Sequence, residues 1–255
     1  DITNAYAWFT DKLQIVGPNA APYTMPHLLD IDKDFESLVN STIPEMGTGM
    51  SGLKVLVKEI DEDSIDVGSR LASAMADAKQ YPGVPQLVLD NLTGEILNVV
   101  YENDKLYLKT LMSIHIDTCG ETVETPLTIE SDGTRRIIEY MPLLYAVTRH
   151  DAVYIVDEVE RSIHPILIKD IINKLSKSTD TKGQLIFTTH ESALLDQDIF
   201  RPDEIWFAQK DTDQATQLYP LSDFNIHKTA NIENGYLNGR YGGIPFLSNL
   251  KDLHW

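Results

Sequence analysis

Cysteine is nearly absent: Cys119 is the single one in 255 residues. An intrachain disulfide is therefore excluded, as is a cysteine-rich zinc site, and the composition fits a reducing, cytoplasmic setting. Long apolar runs are also missing. None approaches the roughly 20 residues that a membrane helix needs. The opening residues, Asp1 to Leu13, lack the basic start and apolar stretch of a secretion signal, so no membrane partner is expected. Positive charge is scarce, with 21 Lys+Arg against 39 Asp+Glu and a formal net charge of −18. That balance excludes a nucleic-acid-binding surface spread over the whole chain and leaves room only for a local basic groove. There is no internal repeat, no low-complexity tract and no heptad run. What is present is ordinary for a folded protein: 42% hydrophobic and 24% charged residues, enough for one large domain or two smaller ones.

Periodicity divides the chain into elements. Ala5, Trp8, Phe9 and Leu13 have helical spacing, as do Phe35, Leu38 and Val39. Residues 53–60 alternate and predict a strand. The acidic stretch after it (Glu59, Asp61, Glu62, Asp63, Asp66) is expected to be a solvated loop rather than a metal site. Leu71 to Lys79 is helix-prone, and Tyr81-Pro82-Gly83 ends it. Ile96–Val100 and Lys105–Lys109 predict paired strands around a turn at Glu102-Asn103-Asp104. Thr134 to Arg149 carries a helical stripe that Pro142 should bend. Ala152–Val156 is an apolar run suited to a strand buried on both faces. A helix over 165–177 follows, with Pro165 in its first turn. Further strands are expected at Leu185–Phe187, Glu204–Ala208 and Gln217–Leu221. This alternation of strands and helices predicts an α/β fold, a mainly parallel sheet flanked by helices.

The strongest local signal lies where the run Ala152–Val156 ends in Asp157 and Glu158. Ligands of open α/β sheets bind at the carboxyl ends of strands. Two acids there can hold a metal–phosphate and polarise a water, although a strand end with solvated acids is the plainer alternative. About thirty residues on, a second apolar strand runs into Thr188-Thr189-His190. A histidine in that place can contact a terminal phosphate, or it is an ordinary surface residue. Upstream, Ser131-Asp132-Gly133-Thr134 opens a helix and exposes amides and a hydroxyl to an anion, or is simply an N-cap.

The order of these pieces resembles the second half of an ATP-binding-cassette-type nucleotidase. The segments ESDGTRR (130–136), VDEVERSIHP (156–165), FTTHESALLD (187–196), EIWFAQKD (204–211) and YLNGRYGGIP (236–245) narrow the resemblance. They are similar to the ABC/SMC-related AAA ATPases of prokaryotic antiphage and abortive-infection systems, the neighbourhood of PARIS-type and Septu-type ATPase subunits and the ATPase part of OLD proteins. The likeness is strongest over about 120–247. It implies ATP and Mg²⁺ as cofactors. It makes Asp157 the metal-holding acid, Glu158 the residue that orients or deprotonates the attacking water, and His190 the contact to the γ-phosphate. Ser131, Asp132, Gly133 and Thr134 would form the signature segment that reaches a partner's nucleotide, and Arg161, Ser162 and His164 would couple the two sites. By the same resemblance 1–115 would be a helical and strand insertion with linker, and 116–255 the lobe with signature, acid pair and switch histidine.

The implied function is an ATP-hydrolysing sensor or scaffold that dimerises head to tail with ATP and controls a nuclease or toxin effector. Nucleic acid or a phage protein is a further partner that this reading admits, and the sequence does not name the trigger. Two departures stand out. Asp132 takes a place where transporters carry glycine. More serious, the phosphate-cradling G-x-x-x-x-G-K-[ST] is missing. The lookalike from Gly47 to Lys54 has its Lys one residue late, no hydroxyl after it, and a strand rather than a helix following. The expectation is therefore a C-terminal portion of a longer ATPase whose upstream segment supplies the loop. A non-catalytic assembly module and an SMC-like DNA-repair ATPase are the alternatives. His190-Glu191 is not a zinc-protease H-E-x-x-H, because position 194 is Leu, and Asp157–Glu160 diverges from a helicase DEAD box.

Overall fold

In the computed structural model the described residues are 2–18, 25–62, 69–90, 93–227 and 229–244. Asp63 and Asp66 of the acidic stretch, and Pro245 of the last quoted segment, lie outside them. The chain divides into two units, Asp1–Ile163 with Asp180–Thr188, and His164–Thr179 with Thr189–Trp255.

The first unit begins with α1 (Ile2–Ala7), continues through a π-helical turn, Trp8–Lys12, and enters β1 (Leu13–Val16). The helix expected through Leu13 therefore stops one residue short of it. Leu13 instead pairs with Val153, and backbone pairing overrides the helical spacing of the side chains. After α2 (Met25–Ile31) comes α3 (Lys33–Thr42), started by Asp32, whose carboxylate accepts from the N–H groups of Asp34 and Phe35, both at 3.0 Å. Then follow β2 (Gly52–Glu59), α4 (Arg70–Gln80), β3 (Gln86–Leu89), β4 (Ile96–Glu102), β5 (Lys105–Ile116) and β6 (Thr122–Pro126). The turn between β4 and β5 places Asn103 and Asp104 at φ 50° and 61°, the two-residue geometry that Asn and Asp tolerate.

β2, β5, β4 and β3 form one antiparallel sheet in that order, with β6 also on β5. This five-stranded sheet is the larger one and corrects the expectation of a mainly parallel architecture. The fold is mixed α/β. The alternation of strand and helix that predicted parallel pairing holds only from residue 153 to 187. Upstream, short hairpin links dictate antiparallel partners. α4 lays Ala74, Met75 and Ala78 on Val88, Val99 and Leu106 of the sheet. Lys109, 1% exposed on β5, bonds Asp30 at 2.8 Å, Glu102 at 3.2 Å and His27 Nδ1 at 3.2 Å. The Asn98 side chain in turn accepts from the His27 N–H at 3.2 Å.

The small parallel sheet of this unit has β7 (Val153–Val156) between β1 and β8 (Gln184–Phe187). α5 (Asp132–Arg149) precedes it and runs through Pro142 as one helix. Ile15, Ile155 and Ile186 stand in register across the sheet, and Ile15 and Ile186 are 72% and 44% exposed.

The second unit holds α6 (Pro165–Ser176), the antiparallel pair β9 (Trp206–Lys210) and β10 (Thr216–Pro220), and α7 (Ile232–Leu237). β9 starts two residues later than expected because Arg201–Glu204 closes a turn, with Glu204 N–H bonded to Arg201 O at 3.0 Å. The core is Ile205, Phe207, Leu221, Ile232 and Tyr241. Phe207 stacks on Tyr236 and Tyr241. Gly235 permits this packing, since a Cβ there would sit 2.7 Å from the Tyr241 ring. No helix among the described residues is long and apolar enough to cross a membrane.

Candidate functional site

β7 ends at Val156, and Asp157 and Glu158 follow it at the carboxyl end of the parallel sheet. Asp157 N–H donates to Val16 O at 2.9 Å, which extends the ladder to β1 by one bond. Glu158 leaves the strand with φ 51°, a conformation uncommon for residues other than glycine and often found where a side chain must be aimed. The turn is held from the neighbouring strand. Thr188, one residue past β8, accepts the Glu158 N–H on Oγ1 at 2.9 Å and donates that hydroxyl to Asp157 Oδ1. Its own N–H bonds Val156 O at 2.9 Å, and its carbonyl takes the Val159 N–H at 3.1 Å. One threonine thus fixes both acidic positions. Thr188 was not picked out from the sequence. Its signal was there, a hydroxyl directly after an apolar run that pairs beside the acid-bearing strand.

Asp157 is exposed and Glu158 half-buried. Among the described residues no group of three or more His, Cys, Asp or Glu is gathered as a metal cage. The Asp157 carboxylate is a hard oxygen donor of the kind that Mg²⁺ takes one or two of, completing its shell with water and phosphate oxygens. Oxygen from Asp157 and from the adjacent Thr188 hydroxyl is the matching hard chemistry.

Ser131 caps α5: its Oγ accepts the Thr134 N–H at 3.1 Å and lies 2.9 Å from the Thr134 hydroxyl. Asp132 is exposed and ion-paired with Arg135. Gly133 touches the segment after the acid pair. A Cβ on it would lie 2.7 Å from the Ser162 carbonyl oxygen, so the start of α5 and the loop 157–163 are packed backbone to backbone. That loop carries a second positive φ, 62° at Ser162, with Arg161 and Ser162 exposed. Its turns are closed by Arg161 N–H to Glu158 O at 3.0 Å and Ile163 N–H to Glu160 O at 2.8 Å. Behind it sequence reasoning overlooked Arg136, which is buried, lies over the Tyr140 ring at 4.7 Å and pairs with Glu139 at 3.1 Å. Burial pushes the Tyr140 hydroxyl above its usual pKa range.

The structure therefore brings Asp157, Glu158, Thr188, Ser131–Thr134, Arg161 and Ser162 into the first unit. His164 and His190 belong to the second. There His164 caps α6, its Nδ1 accepting from Ile166 N–H at 3.3 Å, and His190 is exposed. The Gly47–Lys54 lookalike is no phosphate loop: Lys54 lies on β2 and pairs with Glu124 at 2.7 Å.

No curated protein matches the chain. A family model described as "AAA domain, putative AbiEii toxin, Type IV TA system" matches residues 29–196, well over half of its length. This match spans the caps of α3 and α5, the acid pair and Thr188, and the chain belongs to this AAA-domain family, whose setting is that of type IV toxin–antitoxin and abortive-infection systems.

Proposed function

We propose that this chain is the acid-bearing part of an ATPase head, and that ATP-dependent head-to-tail dimerisation controls a nuclease or toxin effector in antiphage defence. The observation that carries the reading is the adjacent pair Asp157 and Glu158 at the end of a central parallel strand, both held by Thr188. Asp157 holds Mg²⁺ through its carboxylate. Bound there, the ion supplies Lewis-acid polarisation of phosphate oxygens. Glu158, aimed by its left-handed backbone, orients the attacking water and accepts its proton. His190 meets the γ-phosphate. Ser131 to Thr134 reach a partner's nucleotide, with Arg161, Ser162 and His164 coupling the two heads.

The amides that cradle phosphates would come from an upstream segment, because no G-x-x-x-x-G-K-[ST] occurs in the sequence. Two features support this. β8 is an edge strand among the described residues, and Ile15 on β1 and Ile186 on β8 are exposed, whereas parallel sheets are ordinarily covered on both faces.

The test is Mg²⁺-dependent ATP hydrolysis by the protein expressed with its upstream coding region. Glu158→Gln should lower turnover by about 10²–10⁴-fold while leaving an ATP-bound dimer visible by light scattering. Wild-type turnover in Glu158→Gln would overturn the role of that carboxylate. Absence of hydrolysis and of ATP binding in the unmutated protein would favour the alternative, a non-catalytic assembly module.

A further inference from the structure

Within the second unit a concavity of about 300 Å³ opens between β9, β10 and the segment after α7. It lies among the segments EIWFAQKD and YLNGRYGGIP, which no step of ATP hydrolysis uses. Lys210 and Arg240 both line it. In a chain with 39 acids against 21 bases, cations usually find a carboxylate. Among the described residues neither of these two has an ion-pair partner, and Arg240 is instead set over the Tyr241 ring at 5.8 Å. The acid beside them is engaged in its own turn. Asp211 Oδ1 accepts the N–H groups of Asp213 and Ala215, both at 2.9 Å, and Oδ2 accepts from Gln217 Nε2 at 3.1 Å. The positive rim is therefore left to attract an anion.

The floor is aromatic. Tyr219 and Phe224 line it and are each half-buried. Tyr219 is fixed in place, its one hydroxyl proton shared between Tyr241 O at 2.9 Å and Gln209 Oε1 at 3.1 Å. Gln209 Oε1 also accepts the Gly243 N–H at 3.0 Å. With that oxygen occupied, the Gln209 amide nitrogen remains as a donor and the Gln217 carbonyl as an acceptor, two groups that can read the edge of a planar heterocycle. Gly242 is required for this closeness: it has φ 72°, and a Cβ would fall 2.5 Å from the Tyr219 hydroxyl. The volume is about ten times the ~30 Å³ share of one water, room for a ring and sugar as well as a phosphate.

We propose that this concavity is a nucleotide-binding site, taking one base against Tyr219 and Phe224 and its phosphate on Arg240 and Lys210. The combination of π-faces that accept any base with flanking cations is the chemistry by which proteins hold single nucleotides of a strand. The inference does not rest on the ATPase reading, and the experiment keeps the two apart.

The probes are adenosine 5′-monophosphate, adenosine, and a 5′-phosphorylated oligothymidylate, titrated into the chain by calorimetry. Adenosine monophosphate should bind with one equivalent per chain, adenosine more weakly, and Arg240→Ala or Lys210→Ala should each weaken the nucleotide by about tenfold. Asp157→Asn should change nothing. Tighter binding of the oligonucleotide would identify a nucleic-acid end as the source of the ligand, and equal or weaker binding a free nucleotide; either supports the site. No binding of either phosphate-bearing probe would overturn the proposal. So would an affinity unchanged in the Lys210→Ala/Arg240→Ala double variant, or one lost with Asp157→Asn. Denaturation midpoints of the variants, expected within error of wild type because both side chains are exposed, show that lost binding is not lost folding.

Discussion

The two sheets of the first unit solve opposite problems. The antiparallel sheet has five strands and is open, ending in β2 and β3. α4 covers one region of it with small apolar side chains, and its one buried lysine is matched by two carboxylates and a neutral imidazole. The parallel sheet has three strands, with Ile15 and Ile186 exposed on its outer two and acids whose polar contacts are made across strand ends. The difference teaches where stability and chemistry reside. The first sheet rests on an apolar core beneath α4, while the second carries a pair of acids at its strand end.

The contrast can be broken by mutation. Lys109→Met should cost about 2 kcal/mol in chemical denaturation, since it takes the cation from Asp30 and Glu102, which are only half-buried. A loss below about 0.5 kcal/mol would mean that the network is dispensable and the antiparallel sheet no more self-sufficient than its neighbour. Gly133→Ala, at the parallel-sheet end, forces a methyl against the Ser162 carbonyl and should cost about 2 kcal/mol. Its more telling readout is slower ATP hydrolysis in the full protein. Ser131→Ala removes the cap of α5 and should cost about 1 kcal/mol by the same denaturation measurement.

The smallest effect is one of pH. Burial, then the nearby Lys109 ammonium, lower the His27 pKa, with Glu102 and Asp30 opposing. The folded state therefore binds fewer protons here than the unfolded chain. The stability that His27 contributes is fully present above 6.5, its unfolded value, and drains away as pH falls below it. A His27→Gln variant should show a flatter stability profile from pH 7 to 5 than the wild type. An unchanged slope would remove the imidazole from the account.

The site was more legible than the architecture around it. Asp157 and Glu158 stood out because an apolar run stops at two acids, and Ser131 because it stands three residues before the N–H that it caps, that of Thr134. The helices observed over 132–149 and 165–176 followed from apolar spacing read over 134–149 and 165–177, and the one over 70–80 from the helix-prone run 71–79. What escaped was whatever depends on a distant partner. β1, only Leu13 to Val16, is a strand because β7 lies beside it. β6 contains Pro126 and polar residues and exists through β5. β3 follows a Pro-Gly turn and is defined by β4. Thr188 escaped for the same reason, since its function is set by a strand thirty residues away.

That threonine has an evolutionary corollary. The loop that carries Asp157 and Glu158 loses two of its bonds to the neighbouring strand if Thr188 is exchanged for valine, which fills nearly the same volume and offers neither a lone pair nor a proton. Serine at that position would be the tolerated drift.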